Sequence, residues 1–307
     1  PDSRDALGVA NEADAPRNII IDHCSLSWAI DEVFGSWHPT HDTTVQWSIL
    51  SEALHDSLHS KGPHSKGILV GPGGKTISIH HNLMAHNHQR NPLMSDNTSS
   101  EIINNVVYDW GNMATGLSNC QSPLPSYSNL IGNFYRAGPS TTRGTAINIG
   151  ECWAAAKVYV RGNIGPARPD DSGDDWLLVR NRAGNQVRSD VPALQESGIA
   201  TQSAAEAFEL VLANAGAITP GRDAIDERVV QSVRDGTGQI IDSQDEVGGW
   251  LSFEAGTPLV DTDHDGMADE WESARGLDPS DPSDGGNTAP SGYTWVEEYI
   301  NGLVRMP

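Results

Sequence analysis

The sequence predicts an all-β protein built as a parallel β-helix, and a repeat in its first half carries that prediction. Residues 18–165 contain six short runs rich in β-branched residues, and a Ser or Asn recurs in matching places at 25, 48, 82, 105, 133 and 163. The steps of 23, 34, 23, 28 and 30 residues exceed the about 8–12 of a β-sandwich, and no helical pattern separates the runs. Solenoid repeats, at about 20–45 residues, fit these steps.

The loops between the runs support the same architecture. They are rich in Gly, Pro, Ser, Asn and His. Each coil of a β-helix stacks on the one before, so recurring Asn side chains can hydrogen-bond along a ladder. Longer coils carry loop insertions, and insertions on one face form a groove. A generic all-β domain is the alternative.

Two helices are predicted after the repeats. Residues 203–215 have helical periodicity, with Ser203 as N-cap, Glu206 at the capping-box position and Gly216 as the stop. Residues 222–234 form a second helical pattern. We expect this region to pack on the solenoid, because an open terminal coil exposes unpaired backbone groups.

Charge divides the chain in two. The net charge is −22: residues 1–165 hold 14 acidic and 10 basic side chains, including all four Lys, and residues 166–307 hold 27 acidic and 9 basic. A chain this acidic repels nucleic acids and anionic membranes. No apolar run approaches the roughly 20 residues of a membrane span. The acidic tail is expected to be solvated, to bind cations, or both.

Three cysteines are too few for a disulfide framework. Cys24 lies in an apolar run and is expected to be a core thiol, whereas Cys120 and Cys152 are open to pairing or to remaining free. No signal peptide is visible, and the chain begins at Pro1 without a Met. We interpret it as processed or truncated, so the missing signal says nothing about the compartment.

The tail contains a calcium-loop pattern. Residues 261–272, DTDHDGMADEWE, have carboxylates at positions 1, 3, 5, 9 and 12 and a Gly at position 6, as in loops that wrap one Ca²⁺. The expected ligands are Asp261, Asp263, Asp265, Met267 through its carbonyl, Asp269 and Glu272. The segment resembles the EF-hand-like loops of dockerin and thrombospondin type-3 repeats.

A second loop before residue 298 is expected to be lost, because Asn287, Ala289 and Ser291 stand where carboxylates are needed. The chain is thus expected to comprise a β-helix over residues 1–165 that lacks its N-terminal coils, a partly helical extension over 166–255, and a calcium-loop segment over 256–307.

The segment 80–92 is dense in polar residues directly after a predicted strand. Clustered His can hold zinc, but HExxH and CxxC spacings are absent, and strand neighbours point to opposite faces. A ladder position or a hydrogen-bonded core role is therefore expected for His80 or His81, with zinc as the weaker alternative.

Two motifs resemble the pectate lyases of polysaccharide lyase family 1. The His-Asn of 81–82 leads to the Arg-Asn-Pro of 90–92, and the Asp-His-Cys of 22–24 lies upstream. The resemblance covers roughly residues 1–165 and implies a right-handed parallel β-helix with Arg90 as the catalytic base. An Arg normally has a pKa above about 12, so a nearby Ca²⁺ and an alkaline pH are expected to assist. An ordinary loop Arg paired with an Asp is the alternative.

The resemblance also implies substrate-binding residues. Lys66, in the sequence HSKGILVG, is similar to a family Lys that binds a substrate carboxylate. Lys61 lies in a similar His-Ser-Lys-Gly setting and is the second choice. His88 is also expected to bind substrate. A solvated loop Lys is the alternative for both lysines.

For the catalytic calcium, the resemblance points to Asp5 and to the acidic pair Asp31 and Glu32. The family partner four residues before Asp5 is Pro1 here, with Asp2 as a substitute. A further ligand is expected upstream of this chain's start. The basic residue that many relatives carry five positions beyond the base is replaced by Ser95.

The sequence therefore predicts a secreted bacterial pectate lyase, a monomer that cuts polygalacturonate or a related acidic polysaccharide by Ca²⁺-assisted β-elimination. Its products are expected to be 4,5-unsaturated oligosaccharides. A weak or inactive β-helix that binds acidic glycans is the alternative. A hydrolase is a weaker one, because it needs paired carboxylates that residues 77–165 do not offer.

Overall fold

Parallel strands form three sheets in the computed structural model, which describes residues 4–10, 14–119, 121, 124–195, 197–253 and 256–303. Sheet A contains Leu7–Gly8, Glu32–Ser36, Lys66–Val70, Leu93–Met94, Thr115–Leu117, Ile147–Ile149 and Val179–Asn181. Sheet B contains Arg17–Asp22, His41–Gln46, Lys75–His80, Ser99–Ile103, Tyr127–Ile131, Lys157–Arg161 and Arg188–Ser189. Sheet C contains Ser25–Ser27, Ile49–Ser51, Leu83–Ala85, Val106–Tyr108 and Phe134–Arg136.

The chain passes through sheets B, C and A in turn, and each strand pairs in parallel with its counterpart in the next coil. This is a parallel β-helix, as the sequence predicted. Two short strands, Val179–Asn181 and Arg188–Ser189, continue sheets A and B, so the sheets extend beyond the boundary expected at residue 165.

Each corner between sheets B and C is turned by one residue in the left-handed conformation. His23, Trp47, His81 and Asn104 have φ between 44° and 55°, and Gly132 and Gly162 take this place in later coils. Glycine adopts this conformation without steric cost. The corner side chains stack outside the coils, with Trp47 and His81 rings 4.4 Å apart.

The residue after each corner forms the predicted ladder. Asn105 accepts from Asn82 at 3.0 Å and donates to Asn133 at 3.0 Å, and Asn133 donates to Asn163 at 2.8 Å. One predicted position was wrong. Ser25 pairs with Ile49 inside sheet C, and Cys24 occupies the ladder place, where its backbone N–H donates to Ser48.

The main core lies inside the coils, where strand residues such as Val33, Ile68 and Ile79 have no exposed surface. Two helices pack on the outside of sheet C. Helix α1 spans Ala204–Asn214 and begins with the predicted Ser203–Glu206 capping box. Helix α2 spans Ala224–Asp235 and ends at Gly236, whose φ is 73°.

The chain divides into two compact units, Pro1–Gly249 and Trp250–Pro307. The second contains α3 (Asp269–Ser273) and α4 (Trp295–Leu303). Short 3₁₀ helices occur at Glu151–Trp153, Asp175–Leu178, Asn185–Val187, Gln244–Val247 and Asp284–Gly286.

Cys24 is a free, partly buried thiol packed against the core, as predicted. Cys152 is disulfide-bonded, and Cys120, the other cysteine left open to pairing, lies outside the described residues. Among the helices described, none has the length and apolar character needed to cross a membrane.

Candidate active site

The strand register brings three successive coils together at the start of sheet A. Glu32 pairs with Lys66, and Lys66 forms a parallel bridge with Gln89. The neighbouring backbone continues this pairing, because Ile68 N–H donates to the Arg90 carbonyl at 2.6 Å. Arg90 therefore lies one coil beyond Lys66 and two beyond Glu32.

Arg90 forms an ion pair with Glu32 across the intervening coil. The Arg90 side chain is 23% exposed and the Glu32 side chain 7%, so the guanidinium lies at the surface above a buried carboxylate. Burial lowers the pKa of Arg90, while Asp31 and Asp5 oppose that shift. The backbone of Arg90 can pack this closely on the Lys66 coil only because residue 67 is a glycine. A Cβ at Gly67 would lie 2.5 Å from the Arg90 carbonyl oxygen.

Asp5, Asp31 and Glu32 form a carboxylate group whose ligand oxygens lie within 4.8 Å of one another. Asp5 Oδ1 accepts from Glu32 N–H at 3.1 Å. Burial raises the pKa of Asp5 to about 6, with the charge of Asp31 adding to the effect. Carboxylate oxygens are the ligands that Ca²⁺ prefers, so these residues fit a calcium ion. Pro1 and Asp2 lie outside the described residues.

Two histidines that the sequence analysis did not select, His59 and His64, contact the Asp31 carboxylate. His64 Nε2 lies 2.7 Å from Asp31 Oδ1, and His59 Nε2 lies 3.2 Å from Oδ2. The two imidazoles stack 3.8 Å apart. Burial, then the charge of Lys66, lowers the pKa of His64 to about 4, so this imidazole is neutral at pH 7. The duplicated His-Ser-Lys-Gly, at residues 59–62 and 64–67, is the signal that could have identified them.

The two candidate lysines lie in different surroundings. Lys66 is 7% exposed, and its Nζ donates to Gln89 at 2.7 Å. Burial lowers the pKa of Lys66 to about 8, so the group is charged at neutral pH. Lys61 is exposed. Lys66 thus lies between Glu32 and Gln89 at the start of sheet A.

His88 is half-buried beside this group, with its ring 4.6 Å from that of His55. Burial, then His55 and Lys66, lowers the pKa of His88 to about 4. Any contact that it makes with a substrate is therefore a hydrogen bond from a neutral imidazole. His80 and His81 hydrogen-bond each other through Nδ1 at 2.9 Å, and neither belongs to a described group that could hold a metal.

The tail residues form two overlapping groups. Asp261, Asp263 and Asp265 lie close together, and Asp265 also meets Glu272 and Asp284. The sequence analysis did not include Asp284. One other predicted ligand is engaged within the loop: the Asp269 carboxylate accepts from Thr262 N–H and Oγ1–H, both at 2.7 Å. The Met267 residue, predicted to bind through its carbonyl, is fully buried.

Comparisons with known proteins identify curated relatives of this chain. No family model matches the chain. Curated relatives named probable pectate lyase C do match. The relative from Aspergillus fumigatus is 35% identical, over 98% of this chain and 68% of its own length. The relative from Emericella nidulans is 33% identical, over 94% of this chain and 65% of its own length. Their similarity defines the chain as a polysaccharide lyase. It belongs to the pectate lyase family.

Solved structures show the same kind of similarity at lower identity. A pectate lyase from Bacillus sp. N165 in complex with trigalacturonate is 19% identical, over 65% of this chain and 59% of that chain, with a TM-score of 0.42. A pectate lyase bound to hexasaccharide is 16% identical, over 64% and 50%, with a TM-score of 0.43. The curated relatives are fungal, so they give no support to the expected bacterial origin.

Proposed function

We propose that this protein cleaves polygalacturonate or a related polyuronate by calcium-assisted β-elimination and leaves 4,5-unsaturated ends. The observation that carries the proposal is the convergence of Arg90, Lys66 and Glu32 from three successive coils. The family assignment supports the substrate class. Each sugar of a polyuronate carries a carboxylate, which suits a site that combines cationic side chains with cation-binding carboxylates.

Each residue of the site is assigned a role in the elimination according to its chemistry. Ca²⁺ held by Asp5, Asp31 and Glu32 would withdraw electrons from the substrate carboxylate and so acidify the C5 proton. Lys66 is charged at neutral pH, and we assign it to a substrate carboxylate. Arg90 removes the C5 proton, and the C4 oxygen departs as the double bond forms. His59 and His64 orient Asp31.

Arg90 can act as a base only when its guanidinium is neutral. Its pairing with Glu32 favours the charged form, whereas burial favours the neutral form. A cation bound to Glu32 offsets the negative charge of the carboxylate, which then no longer stabilises the charged guanidinium. Activity is therefore expected to need calcium and to rise towards alkaline pH.

The ion pair between Arg90 and Glu32 also supports a second candidate function, the binding of an acidic glycan without cleavage. An Arg90 that stays paired and charged would help a β-helix bind an acidic glycan without cutting it. Secretion is part of the proposal, because a polymeric substrate such as polygalacturonate lies outside the cell.

The test is to incubate the full chain with polygalacturonate and calcium and to follow the ultraviolet absorbance of unsaturated ends. Absorbance should rise with calcium and stop when a chelator is added. Folded protein that binds the polymer without any rise would support the glycan-binding function instead.

A further inference from the structure

A set of carboxylate oxygens in the tail is buried without hydrogen-bond partners in the described parts of the chain. Glu272 is 0% exposed, and neither of its carboxylate oxygens is hydrogen-bonded. One oxygen each of Asp263, Asp265 and Asp284 is in the same condition. These five oxygens come from residues that the two tail groups bring together through Asp265.

Such an arrangement is unfavourable without a cation. A buried charged group that lacks a partner costs several kcal/mol, and here four carboxylates also repel one another. A hard divalent cation removes both costs, since Ca²⁺ takes about 6–8 oxygen ligands. The five partnerless oxygens supply most of such a shell.

Asp284 is not part of the 12-residue loop. It lies 12 residues after Glu272, in the 3₁₀ turn Asp284–Gly286. Its Oδ2 accepts from Asp278 N–H at 2.9 Å, which leaves Oδ1 without a partner. A Cβ at Gly285 would lie 2.3 Å from Asp265 Oδ2, so the turn lies directly against the loop.

Position 9 of the loop has a different role. Both oxygens of Asp269 accept from Thr262, and Asp269 N–H donates to the Val260 carbonyl. These contacts tie the start of the loop to the start of α3. Asp269 thus closes the loop through hydrogen bonds and belongs to neither carboxylate group.

We propose that the tail holds one Ca²⁺ in a site that Asp284 completes from outside the loop, with Asp261, Asp263, Asp265 and Glu272 as the loop ligands. Asp269 holds the loop in shape. The ion links the loop to the segment that follows it and so stabilises the second unit. This site is separate from the proposed lyase chemistry.

The experiment titrates Ca²⁺ alone into the chelator-treated full chain by calorimetry and compares Asp284→Asn with Asp281→Asn. The matched control is exposed, and its carboxylate accepts from Ser283. An Asn at 284 keeps the acceptor for Asp278 N–H. Asp284→Asn should weaken binding at the tail about tenfold or more, whereas Asp281→Asn should match the wild type. Calcium binding at Asp5, Asp31 and Glu32 should be the same in all three proteins.

Thermal unfolding in chelator gives a second readout. Asp284→Asn should unfold at the same temperature as the wild type or a higher one, because it removes a repelling charge, and calcium should stabilise it less. Unchanged calcium affinity in Asp284→Asn, or loss of stability in chelator, would overturn the inference. A chain that binds calcium in the tail as described yet forms no unsaturated product supports this inference and counts against the lyase.

Discussion

Arg90 reaches past the Lys66 coil to form an ion pair with Glu32, so the proposed base and a proposed calcium ligand are held together. The pairing follows from the β-helix, in which Glu32, Lys66 and Gln89 occupy the same place in successive coils and Arg90 directly follows Gln89. The ion pair also couples calcium binding to proton removal, because a cation that neutralises the Glu32 carboxylate changes the electrostatic environment of Arg90.

Replacing the proposed base should remove activity and leave the fold intact. Arg90→Ala should lower turnover by roughly 10²–10⁴-fold, the contribution typical of a positioned base. The measurement is the initial rate of unsaturated-end formation, with circular dichroism as the check on folding. The exposed Arg143 provides the control, and Arg143→Ala should retain full activity. Retained activity in Arg90→Ala would refute the assignment.

Glu32→Gln should raise the calcium concentration needed for half-maximal activity by about 10–100-fold, as removal of metal-site partners commonly does. The reason is that Glu32 is one of the three carboxylates, with Asp5 and Asp31, that are proposed to hold the catalytic calcium. Rates measured over a calcium series test this, with the exposed Glu151→Gln as the control. An unchanged calcium requirement would exclude Glu32 from the site.

The two lysines allow a matched comparison. Lys66→Met should raise KM about tenfold or more, since a charge-assisted hydrogen bond contributes about 1.5–3 kcal/mol. Lys61→Met should leave KM near the wild-type value, because Lys61 is exposed. Steady-state kinetics on polygalacturonate decide between them, and the opposite ranking would assign the substrate carboxylate to Lys61.

The Asn ladder is expected to be a major source of stability. Asn105→Ala removes the acceptor of Asn82 N–H and the donor to the Ile79 carbonyl, both of them buried. Each buried group left without a partner costs about 1–3 kcal/mol, so the loss should reach about 3 kcal/mol in urea unfolding. Gln231→Ala, which removes an exposed hydrogen bond to Asp235, should cost far less. Equal losses would argue against the ladder.

His80 should make the fold sensitive to acid. Burial, followed by the charge of His81, lowers the pKa of His80 from 6.5 to about 4. Between these values the unfolded chain binds a proton that the folded chain does not, so stability is full above pH 6.5 and falls as the pH drops towards 4. The shift corresponds to roughly 3 kcal/mol.

His80→Gln tests this dependence, because Gln46 occupies the same place in the preceding coil. Urea unfolding of both proteins at pH 7.5 and pH 5 should show a smaller acid loss for the variant. An identical loss in the two proteins would show that His80 does not contribute.

The sequence was sufficient for the β-helix because its signals are local: an apolar run and a ladder Ser or Asn recur at one place per coil. The ladder register was wrong by one residue at Ser25, where Cys24 and Ser25 are both small and polar enough for either place. The end of the sheets was set too early at residue 165, because Val179–Asn181 and Arg188–Ser189 are too short to form a recognisable run.

The sites were harder to predict than the fold. Arg90 and Lys66 carry motifs, and the structure brings them together. His59 and His64 lie in a loop insertion whose path no periodicity fixes, and Asp284 joins the tail group through a turn outside the loop pattern. Contacts of this kind depend on how loops fold back, so no spacing of residues in the sequence predicts them.

The mass of the products tests the central claim most directly. Mass spectrometry of oligosaccharides released from polygalacturonate by the wild-type chain with calcium should show new non-reducing ends that are lighter by one water than those of hydrolysis, and Arg90→Ala should release almost none. Products that have gained water at the cleaved bond, or equal release by Arg90→Ala, would contradict an elimination carried out by this site.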